Sequence, residues 1–235
     1  MDNKDLPLLF SCGYSEQEAL FSEEYLDRIN QEFMKMGLRG VSLIMTSGDY
    51  GAGCQRSKFS PYFPASSPYV TSVGATQIQQ HTERAFYISG GGFSDRFRSP
   101  SYQQDAVSRY LKHGTLPNED YFNSRGRGFP DVSALGDNFV VRVNGDWEYR
   151  VFSTSAATVT IAGIFSLLND KRVMKGTKQF GFLNPLLYKH SDVFRDIRVG
   201  HNTGCFGTAF SAREGWDPVT GLGVPLFIQM TDKLV

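Results

Sequence analysis

The chain lacks an excess of charge, a long apolar run and a paired-cysteine spacing, and each absence removes a class of function. Its 235 residues carry 24 Lys and Arg against 24 Asp and Glu. A zero balance offers no electrostatic footprint for nucleic acid or for an anionic membrane, so neither partner is expected. No apolar run approaches the ~20 residues that cross a bilayer. The opening Met-Asp-Asn-Lys-Asp is charged where a signal peptide carries an apolar core, so the chain is expected to be soluble and without an export signal. Cys12, Cys54 and Cys205 include no CxxC, which argues against a zinc or redox site; two could pair and leave one over. Repeats, linkers and low-complexity segments are missing too, and residues 1–235 are expected to form one domain.

What is present is an alternation of apolar runs and helical stretches. "LPLLFSCG" reads as a buried strand entering a loop at Gly13, and "VSLIMT" and "YVTSVGAT" read as two more strands. Between the first two, Ser22 is a good N-cap, Glu23 and Glu24 suit the positive end of the dipole, and Phe21, Tyr25, Ile29, Phe33 and Met36 recur near helical period. Gly37 or Gly40 can end that helix. A further helix is predicted from Gln103 to His113, and "FVVRVNGDWEYRV" predicts a hairpin around Asn144-Gly145 with a type I′ turn. From Ala156 to Leu168 nearly every residue is small or apolar, which predicts a helix buried all round. Strands alternating with helices predict an α/β fold, a parallel sheet with helices on both faces and its chemistry beyond the carboxyl ends of the strands.

Two stretches carry candidate chemistry. In "RVFSTSAATVTIAG" a serine stands at the first turn of a helix, where unpaired amides and the dipole favour developing negative charge; Ser153, Thr154 and Ser155 would equally serve as plain caps. In "TSGDYGAGC" glycines allow a substrate backbone to approach while Asp49 presents one polar group, or Asp49 merely caps a turn.

Taken in order, "SGDYGAGC", "FPASSPYVTSVGAT", "SGGGFSDRF", "YFNSRGRGFPDVSAL", "STSAATVTIAGIFSLLND", "GFLNPLLY" and "GWDPVTGLG" resemble the sedolisin family of serine-carboxyl peptidases across essentially the whole chain, and within it the animal tripeptidyl-peptidase branch. The resemblance implies a subtilisin-like fold, N-terminally truncated, and a peptidase of acidic compartments that removes tripeptides from free N-termini of peptides or unfolded proteins. By resemblance Ser155 falls on the nucleophile and Asp49 on the oxyanion carboxyl, which donates a hydrogen bond only while protonated and so suits acid. Ser11, Cys12 and Gly13 fall on the segment that pairs with substrate backbone, with Cys12 standing where tyrosine is usual. A family Ca²⁺ site falls on the carboxylates of Asp196 and Asp217 and the carbonyls of Ile197, Arg213 and Gly215. Cys54 and Cys205 fall on a disulfide, while His201 and Ser211 replace a second one. A lysosomal or secreted setting follows from the same resemblance.

Some features depart from the family. Its base is a glutamate oriented by an aspartate one turn later, on a helix preceding the "SCG" strand where this chain starts; no residue here inherits those roles. Glu23 and Asp27 share the spacing but belong to the next helix, and His81, His113, His190 and His201 sit in no motif that suggests a base. Ser153 replaces a usual glycine, a source of strain of roughly 1–3 kcal/mol if that position needs positive φ, and Val159 replaces a usual proline. The expected function is a serine-carboxyl peptidase, with little turnover expected from this chain alone. The alternative is an inactive remnant that binds peptides or proteins.

Overall fold

The computed structural model describes residues 7–113 and 115–235. The charged opening Met1–Asp5 and Leu6 of the first apolar run lie outside them. In chain order the elements are β1 (Leu9–Cys12), α1 (Glu23–Leu38), β2 (Ser42–Thr46), β3 (Thr71–Gln79) and β4 (Thr82–Ala85). Then come β5 (Gly92–Arg98), α2 (Gln104–His113), β6 (Gly126–Phe129) and β7 (Val132–Leu135). The hairpin of β8 (Phe139–Val143) and β9 (Asp146–Val151) leads into α3 (Thr154–Met174). Last are α4 (Asn184–Lys189), β10 (His201–Gly204), β11 (Gly207–Ser211) and α5 (Phe227–Leu234).

β1, β2, β3 and β7 lie side by side in that order and all run parallel, with Ser11 opposite Ile44, Ile44 opposite Thr71 and Val73 opposite Val132. β4 folds back antiparallel on the far end of β3. Side chains alternate across a strand, and β2 uses both faces. Leu43 and Met45 pack with Phe33 and Met36 of α1, while Ile44 joins Ala157, Ile161 and Phe165 of α3 in the main core. Helices therefore cover both faces, as the alternation of runs implied.

α1 begins as its sequence predicts: Ser22 is the N-cap, its Oγ accepting from Tyr25 N at 3.2 Å, with Glu23 and Glu24 in the first turn. In the β8–β9 hairpin Asn144 and Gly145 both have positive φ, 52° and 96°, which a type I′ turn requires.

Two expectations need correction. β1 is not buried: it is an edge strand, with Ser11 exposed and Leu9, Phe10 and Cys12 half-buried, because β2 is its single sheet neighbour among the described residues. α3 is not buried all round. Thr154, Ala157, Thr158, Ile161, Phe165 and Leu168 face the sheet, whereas Val159 and Leu167 are each 58% exposed on the opposite side, since one sheet can cover only one face of a helix.

The polar stretch "RGRGFPDVSA" holds a fully buried ion pair. Arg127 donates to Asp131 Oδ2 at 2.5 Å and to the carbonyls of Ser67 and Val70, and Asp131 also accepts from Ser72 N and Tyr188. Every buried lone pair so engaged offsets part of the cost of taking both charges out of water. Cys54 and Cys205 form a disulfide and Cys12 is free, in line with the pairing that the resemblance implied. Among the described residues no helix is long and apolar enough to cross a membrane.

Candidate active site

Three segments beyond the carboxyl ends of parallel strands converge: Gly13 after β1, Ser47 to Asp49 after β2, and Gly136, which leads from β7 through the hairpin to Ser153. Gly13, Thr46, Gly48, Asp49, Tyr50 and Ser155 share a cavity of about 120 Å³ with Tyr14, Ser15 and Tyr62. Ser11 and Cys12 lie on the edge strand leading to it but do not line it.

Asp49 is tied to the start of α3 by both carboxylate oxygens. Oδ1 accepts from Thr154 N and from Thr154 Oγ1, each at 2.7 Å, and Oδ2 accepts from Ser153 Oγ at 2.7 Å. Thr154 Oγ1 also meets Thr46 Oγ1 at 2.6 Å, joining the helix to the end of β2. An acidic side chain on the first amides of a helix satisfies orphan donors and complements the dipole. Gly48, with φ +103°, makes the turn that aims Asp49 at α3. Behind it, the "SGGG" loop supports the turn through Gly90 N to Gly48 O and Gly51 N to Ile88 O.

Ser155 is the second residue of α3, and its Oγ donates to Gly13 O at 2.8 Å. A Cβ on Gly13 would lie 3.0 Å from Ser155 Cβ, so glycine is what allows the edge segment to come this near. The expected strain at Ser153 does not arise. Its φ of −178° is extended backbone open to any residue, and its side chain caps the helix by accepting from Ser155 N at 2.9 Å. Sequence reasoning treated Ser153 as a possible defect; the structure makes it the link between Asp49 and Ser155.

No His, Asp, Glu or Lys among the described residues hydrogen-bonds Ser155 Oγ. Glu23 and Asp27 instead clamp Arg96 on the surface, Asp27 in a two-bond fork and Glu23 at 2.6 Å, as befits a solvated acidic pair. Val159 sits harmlessly on the exposed side of α3. Next to the small cavity is one of about 430 Å³, which shares Tyr50 and Tyr62 and adds Glu16, Gln17 and Thr203. Those two tyrosine rings stack, 6.2 Å between centroids, and burial raises the Tyr62 phenol above its ordinary pKa.

The residues expected to hold calcium are gathered on two adjoining loops. Asp196 Oδ2 accepts from Gly215 N at 3.0 Å and from Arg198 Nε at 2.8 Å, while its Oδ1 is buried with no hydrogen-bond partner. Asp217 is fully buried; its oxygens accept from the amides of Arg213, Val219 and Thr220, and burial pushes the carboxyl up to about 7. An orphaned buried carboxylate oxygen and hard donors fit a Ca²⁺ ion. Among the described residues no three acidic, His or Cys side chains cluster, so further ligands would be the carbonyls of Ile197, Arg213 and Gly215.

No family model matches the chain. It is 45% identical over 245 residues to tripeptidyl-peptidase 1 of Bos taurus, covering 98% of this chain and 44% of that protein. The Rattus norvegicus tripeptidyl-peptidase 1 is 44% identical over 249 residues, covering 100% and 44%. The chain thus spans a little under half the length of the curated relatives it matches. Among solved structures it superposes on Pseudomonas sedolisin, a serine-carboxyl proteinase complexed with pseudo-iodotyrostatin, with a TM-score of 0.79 at 21% identity over 97% of this chain and 65% of that one. Sphericase aligns more loosely, with a TM-score of 0.52 at 18% identity over 92% and 55%. The shared parallel sheet gives a subtilisin-like fold, and the near-complete alignment of this chain to the tripeptidyl-peptidase 1 sequences supports its likeness to the sedolisin family of serine-carboxyl peptidases.

Proposed function

We propose that the chain supplies the nucleophile, Ser155, and the oxyanion carboxyl, Asp49, of a serine-type peptidase that removes tripeptides from free N-termini of peptides and unfolded proteins. The observation that carries this reading is the pair of bonds from Thr154 to Asp49: they hold the carboxyl against the residue preceding Ser155, in one cavity with it. Kinship with tripeptidyl-peptidase 1 supports the substrate class, and an acidic setting, lysosomal or extracellular, fits a carboxyl that must be protonated to act.

In the mechanism, Ser155 Oγ leaves Gly13 O and attacks the scissile carbonyl carbon to give a tetrahedral intermediate. Its collapse breaks the C–N bond, releases the rest of the peptide as an amine that takes up the proton Ser155 gave up, and leaves the tripeptide as an ester on Ser155. Asp49, carrying a proton, donates to the oxyanion as charge develops, and the α3 dipole favours the same charge. Water then resolves the acyl-enzyme. The Ser155 proton passes to a carboxylate outside the described residues, the role the family gives to glutamate. The edge-strand backbone of Ser11, Cys12 and Gly13 receives the peptide as an added strand. Bound Ca²⁺ would neutralise Asp196 and Asp217 and fasten their loops together.

The test is a chimera in which residues 1–235 replace the matching segment of the bovine relative, assayed for tripeptide release at acid pH. Release abolished by Ser155→Ala is expected. A folded chimera that releases nothing, or whose release survives Ser155→Ala, overturns the reading. Asp49→Asn, a donor at every pH, should carry its residual activity to higher pH than the parent does.

A further inference from the structure

A third cavity, of about 640 Å³, shares no residue with the Ser155 site. One wall is the end of α2, with Arg109, Tyr110 and His113; the other is the chain after β11, from Ala212 to Gly215, and Arg198 completes the lining. Three arginines and one carboxylate, Glu214 with its side chain 81% exposed, line it, while Asp196 and Asp217 lie just behind the wall, Asp196 paired with Arg198 and Asp217 accepting from the Arg213 amide.

Arg198 is already engaged, by Asp196 at 2.8 Å and by Glu214 at 3.7 Å. Arg109 and Arg213 form no ion pair with any described carboxylate, so two guanidinium charges are left over at the cavity. Arg213 is the more telling of them. Its Nη1 donates to His113 O, which fixes the side chain across the gap between the walls, yet its Nε is buried with no acceptor. A guanidinium without an anionic partner keeps its charge uncompensated, and an oxyanion is the partner that its planar set of donors fits. The buried Tyr110 and Ala212 supply apolar wall beside the charges.

We infer that this cavity is an oxyanion-binding site in which Arg109 and Arg213 hold a phosphate or sulfate group. Tyr110 and Ala212 leave room against the wall for an organic body, so the anion is either free or the head of a small monoester. Because Arg213 and Gly215 would also offer carbonyls to calcium, the test must separate binding by the guanidinium groups from binding through the metal.

The experiment is calorimetric titration of the 235-residue chain with inorganic phosphate and with phenyl phosphate, both in EDTA. Saturable binding is expected, weakened roughly tenfold by Arg109→Gln and by Arg213→Gln, the loss of one charged hydrogen bond each. Arg28→Gln, on the far surface of α1, should leave it unchanged. Tighter binding of phenyl phosphate assigns the site to an organic monoester; equal affinity assigns it to the free anion. Arg109 lies on an exposed helix surface, so its variant folds and the comparison stands even if Arg213→Gln does not. No saturable binding below about 10 mM, binding that appears only when calcium is added, or binding indifferent to Arg109→Gln overturns the inference.

Discussion

Ser153 bonds Asp49 and caps α3 with one hydroxyl: Oγ donates to Asp49 Oδ2 at 2.7 Å and accepts from Ser155 N at 2.9 Å. The carboxyl and the nucleophile are thereby held to a common atom. Ser153→Ala should lower stability by about 1 kcal/mol through loss of the cap, read as a drop in Tm. In the bovine chimera it should also lower kcat roughly tenfold with KM little changed, because an interaction that orients Asp49 acts in the transition state. Equal kcat in Ser153→Ala would show that the two Thr154 bonds hold Asp49 unaided.

Gly13→Ala tests the contact between the edge segment and the nucleophile. The new Cβ would stand 3.0 Å from Ser155 Cβ and 3.2 Å from Oγ. Gly13 is exposed, so the segment can yield without unfolding the sheet, but Ser155 must shift. Activity of the chimera should fall about 100-fold, the scale expected for a misplaced reacting group, while the circular dichroism spectrum stays unchanged.

Calcium should raise the Tm of the chain saturably, by selective binding to the folded state, and EDTA should reverse the rise. Asp196→Ala removes the unpartnered oxygen and should abolish the response while leaving a folded chain, since Asp196 is not fully buried. A Tm insensitive to calcium in the parent would remove the metal from the proposed function.

Acid should favour the fold at one site. Asp95 is an exposed residue of β5, but the packing that strips water from around its carboxyl, and then the nearby Glu18 carboxylate, push it from its ordinary 3.8 up to about 6, against the pull of Lys58. The folded state thus holds this proton more tightly than the unfolded chain. The resulting stabilisation is complete below about pH 3.8 and is lost as pH rises through about 6. Asp95→Asn should raise Tm at pH 7 and leave it nearly unchanged at pH 4; an equal change at both values would mean that Asp95 ionises freely in the fold.

Local signals served the sequence reading best. The run from Val41 to Thr46, the Ser22 cap and the Asn144-Gly145 turn depend on neighbours in the chain, and the structure has them where expected. Ser155 and Asp49 are singled out by motifs quoted along the chain, and the structure places both in one cavity. What depended on distant partners was less legible. The apolar residues at the start of β1 look the same whether a strand has one neighbour or two. Exposed Val159 and Leu167 are indistinguishable by composition from buried Ile161 and Leu168. Arg127 and Asp131 look like surface charges until Ser67, Val70, Ser72 and Tyr188 close around them.

The bond from Ser155 Oγ to Gly13 O joins residues 142 positions apart in the chain. Contacts of such separation form late, because a long loop must close before they return any free energy. During synthesis, then, the serine emerges long after the segment it must meet, and for that interval the chain holds every other residue of the cavity but no cavity. Assembly of the site is an event in time, with its own rate.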